Sequence, residues 1–292
     1  MSLHIFGNIL TSYGCAANNR GETEGNITTL QKLLWKGNVH TTVSSEAIRW
    51  ALRYFWQTND IEVNRRWDDE KDDHVWKDER WTGWSDDKGE TYIDDDLLGY
   101  MKAEGGKAEG EKGSTSKRRG VFEISRAIST TPYAGDISFN ARSGVKDRTS
   151  LYGTEIHATR YQYGFSLTPE RLREKERCLS ALDGISRLGE VAGNHSRFLY
   201  DFSPESIVLR ISEDPAPRML YCFQEQDNNI TVHDLVRKVE AGDILKEELY
   251  IGGLAADLPE IKALNLDNCF PGIKKTVEEC VSAIKQKLNI KE

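Results

Sequence analysis

Three stretches carry residues whose types and spacing suit chemistry. In "HTTVSSEAIRWALRYFW" (residues 40–56) two serines, Ser44 and Ser45, precede a helix-forming run, and Arg49 and Arg53 recur four apart within it. A helix N-terminus presents free N–H groups and partial positive charge, small serines let an anion approach, and arginines one turn apart add charge-assisted contacts. This pattern can seat a phosphate backbone. It equally describes a serine-capped amphipathic helix, which is the commoner use of such residues. The second stretch is Asp94, Asp95 and Asp96. It can hold a metal for phosphodiester cleavage or place acids at the positive end of a short helix. The third runs from 117 to 148 and holds Lys117, Arg118, Arg119, Arg126, Arg142, Lys146 and Arg148. Basic residues spread over loops and hairpin tips suit an electrostatic groove for a single-stranded polyanion, or a solvated surface.

Smaller groups have the same two-sided character. Asn19 and Arg20 lie in the glycine-punctuated loop "NNRGETEGN", which can grip phosphate or sugar or simply turn. Asn194, His195 and Arg197 lie in "GNHSR", where Gly193 permits close backbone approach or caps a helix. Tyr161, Tyr163 and Phe165 share one face of a strand. They can stack bases, but period-2 aromatics fit a core face better, and no RNP1 pattern is present. His40 or His157 can act as a general base, yet neither has a second histidine at metal-ligand spacing. A P-loop, GxSxG, HExxH and a strand-following GxGxxG are all missing. The expectation is no catalytic residue, no metal and no cofactor.

The elements that must position these residues read as α+β. Strands are expected over 3–13, in "VFEISRAIST", "AGDISFN", "ATRYQYGFSL", "PESIVLRIS" and "RMLYCFQ", with a projecting hairpin in "ARSGVKDRTSLYGTEIH". Helices are expected in "ITTLQKLLW", over 45–57, in "DDDLLGYM", across "TPERLREKERCLSALDGISRLGEVAG" and in "PGIKKTVEECVSAIKQKLN". Two helical crossovers over a strand-rich chain suit a split βαβ, ferredoxin-like core. Residues 58–92 form an acidic island with Trp67, Trp76, Trp81 and Trp84, and 102–120 is a low-complexity run expected to be mobile.

Charge and cysteine usage narrow the class. The net charge is -8, but residues 60–111 hold 18 acids against 8 bases, whereas residues 112–177 hold 13 bases against 7 acids. A basic patch matters more to a polyanion than the total does. Five scattered cysteines, without a CxxC pair, argue for reduced thiols in a cytoplasm rather than disulfides or a zinc knuckle. No apolar run approaches a membrane span, and the first residues do not read as a signal peptide.

Taken together, "VSSEAIRWALR" resembles the serine-pair/helix motif of the CRISPR-associated Cas-seven proteins. "DDDLLGYM" followed by "KRRG", and "VAGNHSRFLYDFSPESIVLRI", are similar to the DevR branch of that family. The likeness runs over most of residues 3–223, and the three motifs keep their expected order.

The resemblance implies an RRM-like (ferredoxin-like) palm with a helical fingers insertion and a β-hairpin thumb. The palm would be 1–57 and 117–292, the fingers 58–116 with a mobile loop at 102–116, and the thumb about 139–160. It implies a non-catalytic, helically stacked backbone subunit of a type I-B Cascade complex that binds CRISPR guide RNA and presents it to a target DNA strand. Implied partners are further copies of itself, a large subunit, and Cas-five-type and Cas-six-type proteins.

The candidate RNA-binding set is Asn19, Arg20, Ser44, Ser45, Arg49, Arg53, Lys117, Arg118, Arg119, Arg142, Lys146, Arg148, His157, Asn194, His195 and Arg197. Glu46 stands where the family motif often carries an amide, and an acid facing phosphate is unfavourable. The rival readings are a metal- or histidine-dependent ribonuclease of similar build and a DNA-binding regulator. In type III relatives a loop aspartate cuts RNA, whereas the loop after the first strand here has Glu22 and Glu24 but no aspartate. No helix-turn-helix is evident.

Overall fold

The computed structural model describes residues 2–17, 23–85, 89–104, 114–141, 151–192 and 199–291. Strand β1 (His4–Thr11) is followed by the hairpin β2 (Lys32–Trp35) and β3 (Asn38–Val43), helix α1 (Ser45–Thr58), and the hairpin β4 (Arg66–Asp68) and β5 (Asp73–Val75). Next come the short helix α2 (Ile93–Leu98), the strand pair β6 (Gly99–Glu104) and β7 (Ser114–Arg119), and β8 (Ala127–Ser129). The pair β9 (Asp136–Ala141) and β10 (Leu151–Thr159) leads into β11 (Tyr161–Leu167), α3 (Arg177–Ser186) and β12 (Pro204–Ser212). The chain ends through α4 (His233–Glu240), β13 (Leu249–Gly253), β14 (Cys269–Phe270) and α5 (Ile273–Leu288).

One mixed sheet organises the α+β molecule, in the order β14-β13-β12-β1-β11-β8-β3-β2. β1 runs antiparallel to both neighbours, with Ile5 opposite Leu167 and Ile211. Ile5 and Ile9 enter one core while Phe6 and Leu10 enter another, as expected of a strand buried on both faces. Helices α1, α3 and α5 pack on the first face through Leu52, Trp56, Leu182, Ile185, Val277 and Ile284. On the second face, Met219, Cys222 and Phe223 join Leu235 and Val239 of α4 over β1 and β12–β13. α1 forms as expected: the Ser44 Oγ accepts from the Ala47 N–H at 3.2 Å, and Ile48, Ala51, Leu52 and Trp56 are buried. Tyr161, Tyr163 and Phe165 are core residues, and the Tyr161 and Thr41 hydroxyls lie 2.9 Å apart.

Four expectations change. The 27–35 segment is not helical: Ile27–Thr28 and β2 are strands. Lys36 and Gly37 both take positive φ (48° and 84°), the two-residue turn geometry that closes a hairpin. "RMLYCFQ" is not a strand. Arg218 and Tyr221 take positive φ, and the backbone N–H groups of Tyr221 and Phe223 donate to Asn8 Oδ1 (2.9 Å) and Gln162 Oε1 (3.2 Å) instead of to a neighbouring strand. The helix expected from Pro169 starts only at Arg177, because the N–H groups of Arg173 and Glu174 are drawn to Asp96. The acidic insertion is not mainly helical. Among the described residues it holds the β4/β5 hairpin, a 3-10 turn (Thr82–Trp84), the six-residue α2 and the β6/β7 pair, which also takes up both ends of the run expected to be mobile.

Candidate nucleic-acid interface

Helix α2 is short and its three acids are all buried. Burying carboxylates is costly unless each is paired and hydrogen-bonded, and here Asp94 and Asp96 gather arginines. Asp94 Oδ2 accepts from Arg53 Nε at 2.9 Å and has Arg65 at 3.9 Å, while Oδ1 accepts the Asn64 N–H at 2.8 Å. Asp96 accepts from Arg118 Nη2 (2.7 Å), Arg177 Nη1 (2.9 Å) and the N–H groups of Arg173 (3.0 Å) and Glu174 (3.2 Å). The acids therefore sit in the first turn of a helix as expected, but they serve as anchors for cations from distant segments. Among the described residues no three His, Cys, Asp or Glu side chains are grouped to hold a metal.

Asp95 lies between these anchors. Its carboxylate accepts from Asn64 Nδ2 at 2.7 Å. Burial first, then the neighbouring Asp94, push its pKa up to about 6. A carboxyl whose folded pKa is raised contributes stability below its unfolded pKa, near 3.8, and loses it as pH rises through 6. Asp95→Asn mimics the neutral acid. Between pH 4 and pH 7 the variant is expected to gain about 2–3 kcal/mol on the wild type. Urea unfolding of both proteins across that range checks this, and parallel curves would refute it.

Two of the anchored arginines, Arg65 and Arg118, line a pair of adjoining clefts. The first, of about 500 Å³, runs between Arg49, Arg65 and Trp76 on one side and Tyr100, Arg118 and Arg119 on the other. The second, of about 460 Å³, lies across the same Tyr100–Arg118–Arg119 wall and adds Trp84, Lys117 and Arg171. Glu123 is the one acid lining either cleft among the described residues, and it is paired with Arg119. Arg118 lies 4.3 Å above the Trp84 ring, and Trp81 stacks on Tyr100 at 4.3 Å. The wall stands so close to α2 because Gly99 has φ 72° and a Cβ there would lie 2.4 Å from the Arg118 carbonyl; only glycine fits. Arg49 donates to the Leu98 carbonyl. Burial lowers the Arg65 pKa to about 10, which leaves it cationic at neutral pH.

The structure thus brings Arg49, Lys117, Arg118 and Arg119 together and adds Arg65 and Arg171, which sequence reasoning missed. Arg65 was hidden inside an acidic island, and Arg171 inside a segment that read as ordinary helix. Arg53 is turned inward to Asp94. Ser44 is buried and its hydroxyl is spent on the cap. Ser45 donates to Glu46 Oε2 at 3.3 Å. The Glu46 carboxyl is held below its ordinary range, chiefly by its own backbone N–H and then by Ser45 and Arg126. The mouth of α1 therefore already holds an anion, its own glutamate.

His157 is buried between Thr41 Oγ1 (2.7 Å) and Thr131 Oγ1 (3.3 Å), and burial with nearby His40 lowers its pKa to about 4. It is neutral at pH 7 and lines neither cleft. His40 lies beside it, with Nδ1 2.8 Å from the Ser129 carbonyl. Asn19, Arg20, Arg142, Lys146, Arg148, Asn194, His195 and Arg197 lie outside the described residues. No helix among the described residues is long and apolar enough to cross a membrane.

Comparisons with known proteins place the chain in a family and find its fold in solved structures. Residues 10–231 match the family model "CRISPR-associated negative auto-regulator DevR/Csa2". The chain is 52% identical over 265 residues, 87% of each protein, to "CRISPR-associated protein Cas7/Cst2/DevR" of Myxococcus xanthus (strain DK1622). Two solved structures share its fold. A chain of "CRISPR RNA-guided surveillance complex, pre-nicking" has a TM-score of 0.61 at 11% identity, with 96% of this chain and 100% of that chain covered. A chain of "CRISPR RNA-guided surveillance complex" has a TM-score of 0.56 at 13% identity, with 97% and 99% covered. With a family model matched over most of its length and a relative more than half identical, the chain belongs to the DevR/Csa2 family of CRISPR-associated proteins.

Proposed function

We propose that the chain binds CRISPR guide RNA along its phosphate backbone, as a repeated, stacked and non-catalytic backbone subunit of a type I-B Cascade complex. The observation that carries this reading is the pair of adjoining clefts, where arginines held by buried aspartates meet aromatic rings around Tyr100 and Trp84. Such a surface reads phosphate and stacked shape and leaves sequence to base pairing with target DNA. The sheet order β12-β1-β11-β8, with α1 and α3 as crossovers, is that of a split βαβ unit. It supports an RRM-like palm, with the β9/β10 hairpin as thumb and residues 58–116 as fingers. The surveillance complexes to which the two structural neighbours belong support assembly with further Cascade subunits, Cas-five-type, Cas-six-type and large.

The test is the nucleic acid that accompanies the purified chain. RNA that copurifies uncut in a large, RNase-sensitive assembly supports the reading. A chain that neither retains RNA nor binds it when coexpressed with a guide refutes it. Cleavage of that RNA would favour a ribonuclease, and tight binding to duplex DNA without RNA would favour a regulator.

Glu46 gives a sharper expectation. It occupies the helix mouth that a phosphate would use. Glu46→Gln is expected to tighten single-stranded RNA binding by about threefold, the scale of one helix-terminal charge. Fluorescence anisotropy at low salt measures it, and unchanged affinity would place the phosphates elsewhere.

A further inference from the structure

An aromatic cluster lies outside the clefts. Trp50 and Tyr54, one turn apart on α1, stack at 5.5 Å with their planes 7° apart. His74 meets Trp50 edge-on at 6.5 Å and Trp67 at 5.1 Å. Trp67 and His74 are cross-strand neighbours in the β4/β5 hairpin. The two tryptophans and the tyrosine are each about half exposed, at 52%, 46% and 49%. Contiguous exposed aromatics of this kind mark interaction surfaces.

Charge decides which partner fits. The turn joining Trp67 to His74 is "DDEKDD", five acids and one lysine over residues 68–73. Arg53 and Arg65 reach the pocket beside Trp50, Tyr54 and His74, but both face Asp94 and are only 18% and 14% exposed, so the exposed rim stays acidic. A polyanion is repelled by that rim, whereas an apolar surface carrying lysine is attracted. The same chain presents such a surface. On the β2/β3 hairpin, Leu34 and Val39 are cross-strand neighbours with 73% and 44% exposure. Lys36 stands exposed at the turn between them, and residues 32–39 contain no acid.

We propose that the aromatic, acid-rimmed patch of one copy receives the β2/β3 hairpin tip of the next copy. The two surfaces differ, so the joint is head-to-tail and leaves one free surface of each kind on every pair. This deepens the stacking in the proposed function and rests on it only for the biological setting.

The experiment is sedimentation velocity on the full chain, free and with a single-stranded RNA long enough for several copies. Asp69→Lys with Asp72→Lys damages the patch. Leu34→Glu with Lys36→Glu damages the hairpin. All four positions are exposed, and circular dichroism verifies folding.

Wild type is expected to form species beyond a dimer, and each double variant to associate at least tenfold more weakly. A 1:1 mixture of the two variants is expected to stop at a dimer, since the mixed pair keeps one intact joint. Wild-type-like assembly of either variant overturns the inference. So does a wild type that stays monomeric when free and fills RNA as independent copies, although RNA binding by the clefts then still stands. If wild type does not bind RNA, the proposed function fails, while free-chain sedimentation still decides the joint. RNA quenching of Trp50 and Trp67 fluorescence that survives Arg118→Glu would show a base-stacking patch and also overturn it.

Discussion

Asp96→Asn is expected to weaken RNA binding by about tenfold, roughly 1.4 kcal/mol, even though it removes a negative charge from beneath a cationic cleft. If net charge alone set affinity, the sign would be the opposite. The expectation follows from geometry. Asp96 holds Arg118 at 2.7 Å and Arg177 at 2.9 Å while taking the N–H groups of Arg173 and Glu174. An amide offers one acceptor where the carboxylate offers two, and it turns an NH₂ toward the remaining donors. Arg118 is then released from the wall shared by both clefts. Breaking a buried pair on one side costs about 3–5 kcal/mol of stability, so binding is compared at a temperature where both proteins are folded. Denaturant unfolding and RNA titration on the same samples separate the two effects. Tighter RNA binding by the variant would show that the position of Arg118 is immaterial.

Arg118→Glu carries the other large effect. Arg118 lines both clefts and lies over Trp84. Reversing its charge is expected to lower affinity for single-stranded RNA by about 10–100-fold at low salt. The slope of log K against log salt is expected to fall by about 0.7 for each phosphate that the variant no longer neutralises. The same reversal at exposed Lys287 on α5 is expected to leave both quantities near wild type. Equal effects at the two sites would mean that RNA responds to overall charge and not to the clefts.

Much of the frame was legible because its signals are local. Ser44 before an apolar stripe marks α1, and the alternation over 3–13 marks a strand, though its burial on both faces emerges only in the fold. The errors arose where distant side chains overrule the local pattern. Asn8 and Gln162 capture the backbone of 221–223, and Asp96 captures that of 173–174. The candidate site was half legible for the same reason. Lys117, Arg118 and Arg119 stand out as a basic run, but nothing near Arg65 in sequence announces that Asp94, 29 positions on, turns it toward a cleft. Arg53 shows the converse, a cation on the expected helix face that a buried acid pulls inward.

The central strand also sets a schedule for making the protein. β1 leaves the ribosome well before its partners β11 and β12, which follow some 160 and 200 residues later, as Ile5 facing Leu167 and Ile211 shows. At ordinary elongation rates that is a wait of about 10–40 s. Throughout it a strand apolar on both faces has no sheet to join, whereas the acidic insertion, closed by short-range hairpins, is complete early. A nascent chain halted before residue 204 therefore presents a sticky β1 that still lacks β12, beside an already folded acidic module, and it is at that stage that chaperone occupancy should peak.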